Sequence, residues 1–232
     1  PFEGGLTEMY EQGVIRNVHH CDVRSLYPSI MLADRIRPAS DHQDVFLALL
    51  GRLRDVRLAA KDRMRAAATD RERAFEEAMQ SSFKILINSF YGYLGFEGAR
   101  FNDFDAAERV AARGRELLRA MVAAIREGGG RPIETDTDGI FFVPPDGDEA
   151  VLDAFRARVR SVLPPGVELE FDSVWPAMFS YRPKNYALRS PDGELVLTGA
   201  ALRSRGLEPY LRDFIRDWVA CKLDGRDAEL AG

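Results

Sequence analysis

Long apolar runs are missing from this 232-residue chain. Nowhere do about 18 consecutive apolar residues occur, which excludes a helix able to cross a membrane. Cysteine is nearly absent: Cys21 and Cys221 lie far apart and match no metal spacing. That excludes a disulfide framework and a zinc cluster, and both residues read as free thiols in a reducing cytoplasm. No basic segment followed by an apolar stretch opens the chain, so no secretory leader is read. The first residue is Pro rather than Met, which reads as an excised piece or a processed product. Composition and missing signals together lead us to expect a prokaryotic cytoplasm, near the nucleoid. Lysine is also scarce: of 32 basic residues only Lys61, Lys84, Lys184 and Lys222 are lysines. Lys and Arg are not interchangeable at anion sites, so each of these positions invites inspection. The net charge of −5 provides no overall attraction to nucleic acid, although a local cationic groove is compatible with an acidic total.

What is present fits a globular chain of one large or two small domains, 46% hydrophobic and 30% charged. Residues 13–23 read as a strand ending at Asp22, and SLYPSIML then turns into a short helix with Pro28 in its first turn. Residues 33–43 are polar and loop-like. A helical pattern over about 45–67, a turn at Thr69-Asp70 and a second helix over about 71–91 predict an antiparallel helical hairpin. A third helix over about 103–127 starts at a capping Asp103. Val110, Leu117, Leu118, Met121, Val122 and Ile125 lie on one of its faces, and Gly128-Gly129-Gly130 ends it. Two strands, 131–135 and 139–143, flank the TDTDG turn, an Asp-Gly hairpin signal. A short helix near 148–162 has Val151, Phe155 and Val159 at helical spacing. Strands fill 167–199 with a second Asp-Gly turn at 192–193, and a last helix covers about 207–222. The order predicts an α+β domain with an antiparallel sheet, interrupted by a helical insertion.

The stretch Glu134-Thr135-Asp136-Thr137-Asp138-Gly139 crowds three carboxylates into one turn. A Ca²⁺ loop would need Glu at its twelfth position, where Pro145 stands, and helical flanks where strands are predicted. An ordinary polar hairpin tip is the plain alternative. Asp22 argues for more than that. It ends a strand among the apolar neighbours Val18, Cys21 and Val23, and a strand-end carboxylate meeting a hairpin-tip carboxylate needs a cation between them. Two Mg²⁺ ions on such aspartates would clamp the attacking and leaving oxygens of a phosphoryl displacement.

On the first insertion helix Arg57, Lys61 and Arg65 recur every fourth residue, with Arg54 one turn before. A solvated basic face is the ordinary reading of such a row. The second helix carries Lys84, Asn88 and Tyr91 as one polar stripe beside apolar Phe83, Leu86, Ile87 and Phe90. A lysine there, facing Arg and Lys on the partner helix, predicts a cationic cleft matched to a triphosphate. After Asp22, the segment Val23-Arg24-Ser25-Leu26-Tyr27 enters a helix whose free N–H groups offer another phosphate site. A core aromatic is the plain reading of Tyr27.

These residues resemble the motifs of family B DNA polymerases. Asp22-Val23-Arg24-Ser25-Leu26-Tyr27-Pro28-Ser29-Ile30 is similar to motif A, Lys84 to Gly92 (KILINSFYG) to motif B, and Asp136-Thr137-Asp138-Gly139 to motif C, in the family's order and spacing. Phe2-Glu3-Gly4-Gly5 resembles the template-contact motif with Phe in place of Tyr. Lys184-Asn185-Tyr186 resembles the K-K-R-Y segment that contacts duplex DNA, with Pro183 and Asn185 departing from it. The resemblance implies a palm of antiparallel sheet backed by helices (residues 1–43 and 96–232) with an inserted fingers hairpin (44–95). It implies Asp22, Asp136 and Asp138 as catalytic carboxylates, with Asp22, the Val23 carbonyl and Asp138 holding two Mg²⁺, or Mn²⁺ in their place. Arg57, Lys61, Lys84 and Asn88, with Ser25 and Leu26, would bind the incoming triphosphate. Tyr27 would exclude a 2′-OH and Tyr91 would line the base-pair pocket. Gly4, Gly5, Lys184 and Tyr186 would contact primer–template DNA, read through phosphates and shape more than sequence. The implied activity is DNA-directed DNA polymerisation from dNTPs, by a fragment without exonuclease or thumb and with a correspondingly weak grip on duplex. Two rivals are a non-catalytic polymerase-like scaffold and another metal-dependent phosphate enzyme such as a nuclease. Intact Asp22, Asp138, Lys84 and Asn88 argue against the first, and the cationic hairpin against the second.

Overall fold

The computed structural model describes residues 4–203 and 206–226. Phe2 and Glu3, which open the segment that resembles a template-contact motif, therefore lie outside the described residues. The chain divides into two compact units. One takes the N-terminal residues through Gly4, then Arg24–Glu116 and Pro164–Glu168; the other takes Gly5–Val23, Leu117–Leu163 and the chain from Leu169 onward.

The second of these units is built on one six-stranded sheet. Its strands are β1 (Gly13–Val23), β2 (Arg131–Asp136), β3 (Gly139–Val143), β4 (Leu169–Arg182), β5 (Asn185–Arg189) and β6 (Leu195–Thr198). Their order is β2-β3-β1-β4-β5-β6, and every neighbouring pair is antiparallel. The N-terminal segment covers the outer edge of β2, with Tyr10 and Glu11 N–H on Ile133 O and Thr135 N–H on Glu8 O. That pairing blunts an edge that would otherwise offer unpaired backbone groups. One apolar cluster joins Ile15, Val18, Ile133, Phe141, Met178, Tyr186 and Leu188. A second joins Ala177, Phe179 and Ala187 of the sheet to Val219 and Leu223 of α6 (Pro209–Asp224).

Helix α4 (Phe104–Glu127) contributes its second half to this unit. Leu117, Leu118, Met121, Val122 and Ile125 are all buried there, as their spacing predicts. Asp103 caps it by accepting the Ala106 N–H at 2.8 Å. Helix α5 (Glu149–Ser161) buries Phe155 and Val159. Val151, predicted on the same face, is instead 43% exposed, lining an open groove with Phe155 and Gly128.

The other unit is helical: α1 (Leu26–Ala33), α2 (Val45–Ala66), α3 (Asp70–Leu94) and the first half of α4. The α2–α3 hairpin is set at its tip by a reciprocal capping box. Thr69 Oγ1 accepts the Glu72 N–H while the Glu72 carboxylate accepts the Thr69 N–H. Arg63 and Glu76 join the two helices by two parallel hydrogen bonds of 2.7 and 2.9 Å. At the base, the buried carboxylate of Asp41 accepts the Val45 and Phe46 N–H groups that open α2. The apolar side of α3 is narrower than its sequence suggests. Ile87 and Leu94 are buried, whereas Leu86 is 50% exposed and Ile85 69%. The expected α+β architecture, an antiparallel sheet backed by helices with a helical hairpin, is the one the chain adopts.

Candidate active site

Within the sheet unit, strand order alone gathers the acidic residues. β1 lies between β3 and β4, so its end meets the starts of both, with Asp22 opposite Gly139 on one side and Glu170 on the other. Val23 N–H donates to Asp138 O at 2.9 Å, which ties the end of β1 to the acidic turn through the backbone. The turn itself differs from the Asp-Gly expectation. β2 ends at Asp136 and β3 begins at Gly139, leaving Thr137-Asp138 as a two-residue loop. The left-handed residue is Thr137 (φ 67°), and Gly139 has ordinary strand geometry. A β-branched residue in that region is strained, and such strain concentrates where the surrounding structure over-determines the backbone.

Gly139 is required for a different reason. A Cβ there would stand 2.5 Å from His20 Nε2 and 3.1 Å from Cys21 O. The His20 ring is fixed by Asp172, whose carboxylate lies 2.8 Å from Nδ1, and by the Phe141 ring at 4.4 Å.

Asp136 and Asp138 are treated differently by their neighbours. The Tyr186 hydroxyl donates to Asp136 Oδ2 at 3.4 Å, and Lys184 Nζ lies 3.4 Å from Asp136 Oδ1 while donating to Thr137 Oγ1 at 2.8 Å. Asp138 has an open surface, yet crowding by protein raises its carboxyl above the usual range, and the charge of Asp136 adds to the rise. Among the described residues no three acidic, His or Cys side chains converge into a ready metal cage. The donor set still suits Mg²⁺, which takes one or two carboxylates and draws its remaining ligands from water and substrate phosphates. A cation beside Asp138 would relieve the rise in its pKa. Glu170 escaped the motif reading. Its position opposite Asp22 puts both carboxylates on one face of the sheet. Only strand register could have revealed it.

The helical unit holds the cationic residues. Arg24, Ser25, Arg54, Arg57 and Glu168 line a cavity of about 140 Å³ closed by Pro28, Leu58 and Ile87. Ser25 precedes α1 in the left-handed region (φ 48°) and makes no side-chain cap, and its Oγ accepts a hydrogen bond from Arg57 Nη1 at 3.4 Å. Burial and then the neighbouring Arg24 lower the Arg57 pKa. Burial, followed by Arg24, Arg65 and Arg57, lowers that of Lys61. Arg24 meets Glu168 at 2.6 Å. Among the described residues, Arg57 Nε is buried without a hydrogen-bond partner. Cations pressed together in this way are poised for an anion.

Tyr27 and Tyr91 stack at 4.2 Å, and a Cβ on Gly114 of α4 would come within 3.1 Å of the Tyr27 ring. Lys84 and Asn88 are exposed on α3, and neither side chain makes a hydrogen bond or ion pair among the described residues. The predicted cationic set is thus brought together for Arg57, Lys61 and Ser25, with Arg24 added, while among the described residues no side-chain hydrogen bond or ion pair joins Lys84 or Asn88 to it. Gly4 O accepts Arg115 Nη1 at 2.8 Å in this unit. In the sheet unit, Gly5 precedes Leu6, whose carbonyl accepts the Thr137 N–H.

A model of DNA polymerase family B matches residues 33–214. DNA polymerase 1 of Pyrococcus abyssi is 29% identical over 238 residues, covering 92% of this chain and 30% of that protein. DNA polymerase 1 of Aeropyrum pernix is 32% identical over 168 residues, covering 71% of this chain and 17% of that protein. The chain thus spans about 30% of the length of the first relatives it matches. The family B DNA polymerase from the hyperthermophilic archaeon Pyrobaculum calidifontis shares the fold, with a TM-score of 0.68 at 24% identity over 86% of this chain and 29% of that one.

Proposed function

From the premise that this chain belongs to DNA polymerase family B, we propose that it is the palm and fingers of a DNA-directed DNA polymerase. The observation that carries the reading is the meeting of Asp22 with the Asp138 turn through strand register and the Val23–Asp138 backbone bond. Residues 1–43 and 96–232 would form the palm and 44–95 the fingers. Asp22, Asp138 and the Val23 carbonyl would hold two Mg²⁺, with Asp136 beside them. When bound, the ions would activate the primer 3′-OH and neutralise the departing pyrophosphate.

The chain's own residues then have separable tasks. Arg57, Lys61, Lys84 and Asn88, with Ser25 and the Leu26 backbone, bind the triphosphate of the incoming dNTP, and crowded cations give that anion its affinity. Tyr27, held by Tyr91 and backed by Gly114, excludes a ribose 2′-OH. Lys184, Tyr186, Gly4 and Gly5 contact the primer–template.

Extension of a labelled primer–template by dNTPs and Mg²⁺, run beside Asp138→Asn, tests the reading. We expect slow distributive extension that the substitution reduces by a factor of about 1,000 or more, since removing transition-state charge stabilisation acts directly on kcat. Absent extension together with absent dNTP binding would overturn it in favour of a non-catalytic scaffold.

A further inference from the structure

Glu134 opens the acidic turn, yet the proposed chemistry does not use it. It is completely buried in β2, and a buried carboxyl needs a partner. Its Oε1 accepts the backbone N–H of Lys184 at 2.5 Å, and among the described residues its Oε2 has no hydrogen-bond partner. Lys184 sits in the left-handed region (φ 60°) at the β4–β5 turn, an unfavourable backbone for a non-glycine residue that something must hold.

The turn is gripped from its other side as well. Asn185 Oδ1 accepts the Ala201 N–H at 2.8 Å, its Nδ2 donates to Pro183 O at 2.9 Å, and Gly199 packs where a Cβ would collide with the Lys184 carbonyl. From this held turn, Lys184 Nζ reaches Thr137 and the Tyr186 hydroxyl reaches Asp136.

We propose that Glu134 is the positioning residue of the Lys184–Tyr186 segment, its buried carboxylate fixing the turn that aims both side chains at the motif C loop. The inference rests on the reading that this segment contacts primer–template DNA, and it assigns that contact an anchor. A backbone N–H, not the lysine side chain, is what the carboxylate holds. Removing the acceptor therefore frees the turn while leaving every DNA-facing group in the chain.

The test combines hydrogen exchange with DNA binding, on Glu134→Met, Glu134→Gln and Lys184→Ala. In Glu134→Met the amides of residues 184–186 should exchange about tenfold faster, the loss of one hydrogen bond, while amides of α4 keep their protection. Glu134→Gln keeps an acceptor and should retain protection. By fluorescence anisotropy, Glu134→Met should weaken binding of a labelled primer–template about as much as Lys184→Ala does, roughly five- to tenfold, and the double variant should be no weaker than Lys184→Ala alone. Unchanged exchange in Glu134→Met overturns the anchor. Faster exchange with unchanged DNA affinity overturns the positioning role, provided Lys184→Ala does weaken binding. If Lys184→Ala leaves affinity unchanged, the DNA reading of Lys184 fails, and the exchange arm still decides the anchor. Should Glu134→Met not fold, Glu134→Asp, one methylene too short to reach the Lys184 N–H, takes its place.

Discussion

Gly139 is held to glycine by its neighbour's side chain, since its own φ is that of any strand residue. His20, pinned between Asp172 and Phe141, occupies the space a methyl would need, and the Cys21 carbonyl closes the other side. Gly139→Ala must therefore push β3 from β1 or dislodge the imidazole, where the next residue along is Asp138. We expect a stability loss of about 1–3 kcal/mol, the usual cost of overpacking, measured by urea unfolding. A second substitution, His20→Ala, should restore most of it in the Gly139→Ala background. Without that recovery, the clash with His20 would not be the cause. The same scale explains why Asp136 and Asp138, two residues apart, differ. Tyr186 and Lys184 contact the first, while crowding raises the carboxyl of the second.

At the scale of elements, the α2–α3 hairpin is a long lever with modest apolar contact. Phe46, Leu47, Leu50 and Leu94 are buried at its base, but farther along only Ala60 and Ile87 are, while Leu49, Phe75, Ile85 and Leu86 are exposed. Its order therefore depends on local devices: the Thr69–Glu72 box at the tip, the Arg63–Glu76 fork and the buried Asp41 at the base. Thr69→Ala removes one cap and should cost about 1 kcal/mol. For a chain of this size that is a fall in Tm of about 2–4 °C, read by circular dichroism. Thr69→Ser should recover most of the loss, whereas an unchanged Tm in Thr69→Ala would show that the tip frays in the native state.

For the whole molecule, Glu134 makes stability depend on pH in a definite direction. Burial, with the charge of Asp136 adding to it, pushes its carboxyl up to about 7 from 4.5, against the Lys184 N–H, which favours the charged form. A carboxyl raised by folding contributes stability that is fully present below the unfolded value and is lost as pH climbs through the folded one. The window is therefore about pH 4.5 to 7, with stability falling as pH rises. Glu134→Gln removes the titrating group, so the Tm of the wild type should fall relative to that variant between pH 5 and 8 and then level off. A constant difference across that range would show that Glu134 titrates as an ordinary carboxyl. Asp138, also raised by crowding, acts in the same direction in both proteins and cancels from the comparison.

Periodicity and punctuation determined the elements. Helical spacing marked α2, α3 and α4, the Thr69-Asp70 turn and the glycine run 128–130 marked the ends of α2 and α4, and the three motifs marked the acidic turn, the helix after Asp22 and the polar stripe of α3. These signals are local, carried by residues within one or two turns of each other, so a linear reading recovers them. Strand order and register are not local. They alone set Glu170 opposite Asp22, packed His20 against Gly139, and brought Glu134 to the backbone of Lys184, fifty residues on in the chain. The exposure of Leu86 and Val151 was decided in the same way, by what packs against a face once the chain is folded. The residue types proposed for the chemistry were set by the sequence, and their neighbours by the tertiary structure, because contact energy depends on distance in space and a sequence records only distance along the chain.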